Sequence, residues 1–370
     1  MRRNKKRLLS VLLSTVIALA LFAAAPMTVY ALASPPGPSA IIGINLIGLG
    51  DQNGIGTAGG TWNWDQANLT LTLDNLNFTT TADFALAVQG DAKIVLIGSN
   101  FLTSTNTLPG NFSDGIYAAG NLTITGPGSL NVSSGPAAIS YGILATGNLT
   151  IDNGAVVTAT GNIAAFSIGI YAFDGLTISG GSTVTSTGGA ATSFSAGIFA
   201  ISNFLINGDS VIIATGGSMP DGDPLLNTGS YGIYKWGGSG IPAFNLSSSM
   251  LQAAGETMAI VIFDNSTNTP TLSYFTVPAG YTYWINDLVS DPGGSGTVSD
   301  GSFLISSLYR FAKIMFVPPP SPQPPPPGPS PNVPQTSDVN NAVGWTVLLA
   351  LVVLGVIGLA AWRRRQGARE

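Results

Sequence analysis

A unit of 27 residues, written along the chain several times over, predicts an all-β fold: a single-stranded parallel β-helix (solenoid) with about 27 residues per coil. Three observations carry this expectation. Gly115-Ile116-Tyr117, Gly142-Ile143-Leu144, Gly169-Ile170-Tyr171 and Gly197-Ile198-Phe199 recur at spacings of 27, 27 and 28 residues. A second cluster keeps the same spacings: Leu122-Thr123-Ile124, Leu149-Thr150-Ile151, Leu176-Thr177-Ile178 and Phe204-Leu205-Ile206. A third is led by Leu130, Val157, Val184 and Ile212. Each cluster alternates apolar and polar residues with no helical period. A unit this short cannot bury its own apolar face, so it must stack on its neighbours.

The bends follow from the residues between the clusters. Ala119-Gly120-Asn121, Thr146-Gly147-Asn148, Phe173-Asp174-Gly175 and Ile201-Ser202-Asn203 bring Asn or Gly to one equivalent place, as a left-handed backbone conformation would require. The second bend is Gly-rich: Gly126-Pro127-Gly128, Asn153-Gly154, Gly180-Gly181, Gly208-Asp209. Leu122, Ile124, Leu130 and Val132 point one way and fill the tube, while Thr123, Thr150 and Thr177 face solvent. On the flanks, Leu69-Thr70-Leu71-Thr72-Leu73 and Ile94-Val95-Leu96-Ile97 look like earlier coils. Gly232-Ile233-Tyr234 restarts the pattern after 35 residues, an interval whose Met219–Pro224 stretch reads as a bulging loop. At this period the repeat region holds about eight or nine coils in a shaft about 40 Å long.

The two ends of the chain read as addresses. Arg2, Arg3, Lys5, Lys6 and Arg7 precede an apolar run from Leu8 to Ala25, and Ala31-Leu32-Ala33 offers small residues for signal peptidase. Residues 1–33 are thus the signal peptide, with cleavage between Ala33 and Ser34, and residues 34–317 the β-helix domain. Pro318 to Pro334 holds 11 prolines in 17 residues, a polyproline-II spacer reaching about 50 Å. Ala342 to Trp362 is an uncharged run of 21 residues, long enough for a transmembrane helix, and Arg363-Arg364-Arg365 holds its far end in the cytoplasm.

Val333-Pro334-Gln335-Thr336-Ser337, the apolar run and the basic tail, in that order, resemble the sortase sorting signal of Gram-positive surface proteins, usually Leu-Pro-x-Thr-Gly. The resemblance implies that residues 333–370 are the signal, that sortase cuts after Thr336, and that its carboxyl group is joined to peptidoglycan. Val333 for Leu and Ser337 for Gly depart from the pattern; a plain C-terminal membrane anchor is the competing account. In either case the shaft faces outward, on the cell wall or the outer face of the plasma membrane.

Composition excludes much chemistry. The chain has no Cys and no His, so it lacks a disulfide framework, the commonest general base and the commonest transition-metal ligand. Residues 34–336 carry Lys93, Lys235, Arg310 and Lys313 against 16 acidic groups, a balance of 4 − 16 = −12, which disfavours nucleic acid. Parallel β-helices include polysaccharide lyases and hydrolases, but from Asp114 to Gly217 the only charged residues are Asp114, Asp152, Asp174 and Asp209. The last three sit at Gly/Asn turns, where Asp is ordinary. No acid/base constellation emerges, and no cofactor beyond Ca²⁺ is expected. Asp221 and Asp223 are candidate Ca²⁺ ligands, weighed against a solvated turn.

Aromatic residues carry the binding expectation. If Ile116, Ile143, Ile170, Ile198 and Ile233 point inward, then Tyr117, Tyr171, Phe199 and Tyr234 lie outside as a ladder that can stack on sugar rings, with Leu144 in the gap. In the opposite register they form an internal stack without functional meaning. The longer interval before Tyr234 would displace the last ring.

Trp62-Asn63-Trp64-Asp65, the Leu-Thr alternation after it and the Gly-Ile-Tyr and Asn-Leu-Thr-Ile units resemble right-handed β-helix surface proteins of Firmicutes, described as carbohydrate-binding-domain proteins. The likeness spans about residues 60–317. It implies a right-handed winding and a polysaccharide or cell-surface glycan as partner; no binding residue transfers by position. The sequence thus points to a secreted, non-enzymatic, carbohydrate-binding or adhesive surface protein. A lyase or hydrolase of the same fold, and a structural stalk without a ligand, are the alternatives.

Overall fold

The repeat folds into three parallel sheets running along one tube. The structure is a computed structural model, and it describes residues 43–316 except 108–111, 220–228, 237–243, 247–248, 265–270, 274, 302–303 and 306–308. These residues belong to a single compact unit, Met1–Val317. The signal peptide with Ala33 and Ser34, the Asp221/Asp223 loop, the proline spacer, Val333 to Ser337 and the apolar run 342–362 lie outside the described residues. Among the described residues no helix is long and apolar enough to cross a membrane.

Each coil contributes one strand to each face. Face I is built from Phe84–Gln89, Phe112–Ala119, Ile139–Ala145, Ala164–Ala172, Ala191–Ala200 and Gly229–Trp236. Face II takes Ala92–Ile97, Leu122–Thr125, Leu149–Asp152, Leu176–Ile178, Phe204–Ile206 and Phe244–Leu246. Face III takes Ser99–Ser104, Ser129–Ser133, Val156–Thr160, Thr183–Thr187, Val211–Thr215 and Met250–Ala254. We number these coils 1 to 6. Register is strict: Ile124 faces Ile94 and Ile151, and Ile143 faces Ile116 and Ile170. Coil 6 keeps it despite the longer interval, with Ile233 opposite Ile198 and Tyr234 opposite Phe199, so the last ring is not displaced.

The expected eight or nine coils reduce to six complete ones, with parallel rungs of a partial coil before them and antiparallel strands at both ends. Before coil 1, Gln52–Ile55, Thr61–Asp65 and Thr70–Asp74 make an antiparallel meander whose last strand pairs in parallel with Ala92–Ile97. The Leu69–Leu73 segment is thus an earlier rung of face II, as expected, and Asn77–Thr80 after it pairs in parallel with Ser99–Ser104 on face III; Leu69 itself turns the chain at φ 48°. Beyond coil 6, Met258–Asp264 is the last parallel strand of face I, and Thr271–Ser273 runs against it. Phe311–Phe316 runs against Met250–Ala254, and Tyr281–Asn286 pairs antiparallel with that strand in turn.

The interior is an aliphatic column. Ile116, Ala118, Leu122, Ile124, Leu130 and Val132 of coil 2, with their equivalents in later coils, form one buried cluster. Thr123, Thr150 and Thr177 lie on the outer side at partial exposure, as alternation requires.

The bends depart from expectation at one corner. Between faces I and II, Asp91 and Gly120 adopt a positive φ; Asn121, Asn148 and Asn203 do not. Their value is in the side chain: Asn121 donates through Nδ2 to Asp91 Oδ1 at 2.6 Å, and its own Oδ1 accepts from the Asn148 N–H at 2.9 Å. Gly147 is needed because a Cβ there would lie 2.6 Å from Asn121 Oδ1. The left-handed residues instead occupy the second bend, at Gly126, Asn153, Gly154, Gly180, Gly181, Gly208 and Asp209.

Candidate functional site

Face I carries a second apolar cluster, separate from the interior one. Ile143, Ile170, Ile198 and Ile233 belong to the column inside the tube, whereas Tyr171, Phe199 and Tyr234, one residue further along each strand, belong to the outer cluster. Alternation along an extended strand puts the two sets on opposite sides of the sheet. Parallel pairing then lines up Tyr117, Leu144, Tyr171, Phe199 and Tyr234 as one row.

A second outer row holds Asp114, Tyr141, Ile168, Ala196 and Tyr231. Rows this close let rings meet within and between coils. Tyr171 and Phe199 have centroids 4.9 Å apart, Phe199 and Tyr234 stack at 5.1 Å and 15°, and Tyr141 stacks on Tyr171 at 5.5 Å. Phe194 meets Tyr231 and Tyr234 at 5.3 and 5.2 Å. Such separations are those of attractive aromatic pairs.

The cluster is unevenly covered. Toward coil 6 it is closed, with Tyr234 only 2% exposed and Tyr171 and Phe199 buried. Toward coil 2 it opens: Phe112 is 38% exposed, and Tyr117, Ile139, Leu144 and Phe166 are half-buried. The four rings singled out from the sequence therefore share one row but not one environment, and Tyr117 alone stands at the open end.

Burial governs the protonation of the polar groups here. It pushes the phenols of Tyr141, Tyr171 and Tyr234 upward, keeping them neutral. Asp114 is 3% exposed, and its Oδ1 meets no hydrogen-bond donor. Burial first, and the neighbouring Asp83 charge second, push its carboxyl well above the usual carboxylate range. Asp83 is itself raised by burial, against a hydrogen bond from Asn106 Nδ2 at 2.7 Å. Burial first and the Asp114 charge second also raise the Tyr117 phenol, and the same charge adds to the push on Tyr141.

Two features escaped the sequence reading although their signals were present. Ser113, Ser140, Ser167, Ser195 and Ser230, two residues before each Gly-Ile pair, are fully buried and in register. Their hydroxyls accept the backbone N–H of Gly135, Asn162, Gly189, Gly217 and Glu256 at 2.7–3.1 Å, each just past the face III strand of the same coil. The following glycine lets the faces meet: a Cβ on Gly142 would lie 2.7 Å from the Thr160 nitrogen. The second feature is Lys235, opposite Ala200 and Ile262 of the interior column, fully buried with its Nζ unpartnered. Burial lowers its pKa from 10.5 to about 8.

Among the described residues no group of three or more Asp or Glu side chains gathers as a metal site. Asp174 and Asp209 sit at bends as expected, Asp209 with φ 60°.

A family model described as "Carbohydrate-binding domain-containing protein" matches residues 61–239. That span takes in the N-terminal meander strands from Thr61 and the face I rows from Asp114 to Tyr234. No curated protein and no solved structure matches the chain.

Proposed function

We propose that this protein is a non-enzymatic, surface-displayed β-solenoid that binds polysaccharide along the outer side of face I. The observation that carries this reading is the in-register apolar row, open at Phe112 and Tyr117, inside the span matched by a carbohydrate-binding family model. An exposed apolar patch rimmed by polar residues on a rigid sheet is a recognition surface, and flat phenol faces suit the C–H faces of sugars. Display outside the cell, through signal peptidase, sortase and peptidoglycan, is supported by the leader, spacer and Val333–Ser337 signal read from the sequence. An adhesin acting on host or neighbouring-cell glycans is the role that fits such a placement.

The test is a glycan array probed with the full-length chain, with and without Ca²⁺, beside an assay for released products. Binding without turnover is expected. A Ca²⁺ requirement would implicate Asp221 and Asp223. A blank array would remove the binding reading and leave a structural stalk. One observation favours the enzymatic alternative: Asp83 and Asp114 are neighbouring carboxyls with raised pKa, the pattern a general acid uses. Oligosaccharide products that disappear in Asp114→Asn would establish that alternative. For anchoring, Thr336→Ala should move the protein from the muramidase-released wall fraction to the membrane fraction; a wild type found wholly in the membrane fraction would dismiss sorting.

A further inference from the structure

Within the outer row of face I, one residue breaks the chemistry of its neighbours. Coils 3 to 6 fill the position with Tyr141, Ile168, Ala196 and Tyr231; coil 2 fills it with Asp114. Phe84 lies beside it in coil 1 and Tyr141 in coil 3, and Tyr117 stands three residues along its own strand. Its N–H is satisfied by the Asp83 carbonyl at 2.7 Å, but its Oδ1 is buried without a donor. A buried carboxyl left in this state costs free energy unless a donor completes it. The orphan oxygen coincides with the stretch where the aromatic patch opens, beside half-buried Tyr117 and exposed Phe112.

The charge around it selects the donor. No Lys or Arg occurs from Ile94 to Tyr234, so no cation of this segment is available to a bound anion. Asp83 adds a second carboxyl. A uronate would bring a carboxylate into a poorly solvated site where this segment offers no cation to pair with it, whereas a hydroxyl or ammonium would supply the missing hydrogen bond.

We propose that Asp114 is the polar anchor of a sugar subsite on face I at coils 2 and 3, which takes a hydroxyl or ammonium donor of a neutral or amino sugar lying on Tyr117 and rejects uronates. The inference rests on the polysaccharide-binding reading and narrows it to one subsite and one sugar class.

Calorimetric titration of the full-length chain with cellohexaose, a fully deacetylated chitosan hexamer and hexagalacturonate tests it. Cellohexaose or the chitosan hexamer should bind at least ten-fold tighter than hexagalacturonate. Asp114→Ile reproduces the residue that coil 4 carries at this position and so preserves folding; it should weaken the bound probe at least ten-fold. Asp114→Asn keeps an acceptor but can never ionise to pair with an ammonium, so the loss should be large for the chitosan hexamer and small for cellohexaose. Asp174→Asn, at an exposed bend, should change neither. Binding that survives Asp114→Ile within two-fold would overturn the anchor while leaving polysaccharide binding intact. Equal affinity for hexagalacturonate would overturn the sugar class. Failure of all three probes would overturn the subsite, and only a blank glycan array as well would bring down the wider reading.

Discussion

Ile143 and Leu144 are adjacent in one strand, yet they belong to two different apolar clusters. Ile143 enters a column that the three faces enclose completely, so every coil presents it with the same neighbours above and below. Leu144 enters a cluster on the outer side of one sheet, where side chains must cover one another. The inner column is uniform along the shaft; the outer cluster runs from closed rings near Tyr234 to an open edge near Phe112. Closure by the fold gives stability without asymmetry. Partial closure by rings leaves a graded surface, and an asymmetric surface is what recognition needs.

The sharpest way to break this contrast is to charge each side in turn. Ile151→Asp should abolish cooperative unfolding, because an unpaired carboxylate in the column costs more than about 4 kcal/mol. Phe199→Ala should then cost about 3 kcal/mol, since its ring packs on both Tyr171 and Tyr234. Tyr117→Ala should cost only about 1 kcal/mol. Equal melting temperatures for these two variants would erase the gradient along the outer cluster.

Lys235 is an exception inside the column, and its titration sharpens the comparison further. The folded pKa is about 8 against 10.5 in the unfolded chain, so between these values the unfolded state binds more protons and stability rises with pH. The penalty is present in full below pH 8, on the order of 3 kcal/mol. Lys235→Met should therefore raise the melting temperature at pH 7 and abolish the rise between pH 8 and 10. Above pH 10 the raised phenols of Tyr141, Tyr171 and Tyr234 act in the opposite sense: they ionise more readily unfolded, and stability falls in both proteins. Denaturant midpoints from pH 6 to 11 would show a maximum in the wild type and only the descending limb in the variant.

Smaller effects belong to the corners and the solvated faces. Ser167→Ala should cost about 2 kcal/mol by leaving the Gly189 N–H without its acceptor. Thr150→Asp, one residue from Ile151 on the outer side, should stay within about 1 kcal/mol. Equal damage from Thr150→Asp and Ile151→Asp in chemical denaturation would mean that inner and outer sides had been confused.

The inner column was legible because its positions recur with the period and admit only aliphatic residues. The direction of Tyr171 followed from Ala172, small enough to share the crowded side with Ile170. The burial of Tyr171 did not follow, since it depends on Tyr141 and Phe199 arriving from neighbouring coils. The serines before each Gly-Ile pair and the aspartate in the Tyr141 row were visible as letters of the repeat, but their meaning needed partners about 22 and 27 residues away. The C-terminal end pieces were illegible for a different reason: an antiparallel strand carries the same alternation as a parallel one, and nothing in Phe311–Phe316 announces its direction.

The antiparallel strands at the ends also set a limit on growth. A stack of identical coils has no intrinsic length, because each new coil presents the edge the last one used. Here face I ends in Thr271–Ser273 and face III in Thr297–Val298, both running against the coils, while face II ends in the parallel strand Phe244–Leu246. On two of the three faces the first coil of another molecule would meet hydrogen-bonding groups spaced for the opposite direction. The shaft thus behaves as a ruler of set length rather than a seed for a fibre, and any ligand spanning face I meets a fixed number of rungs.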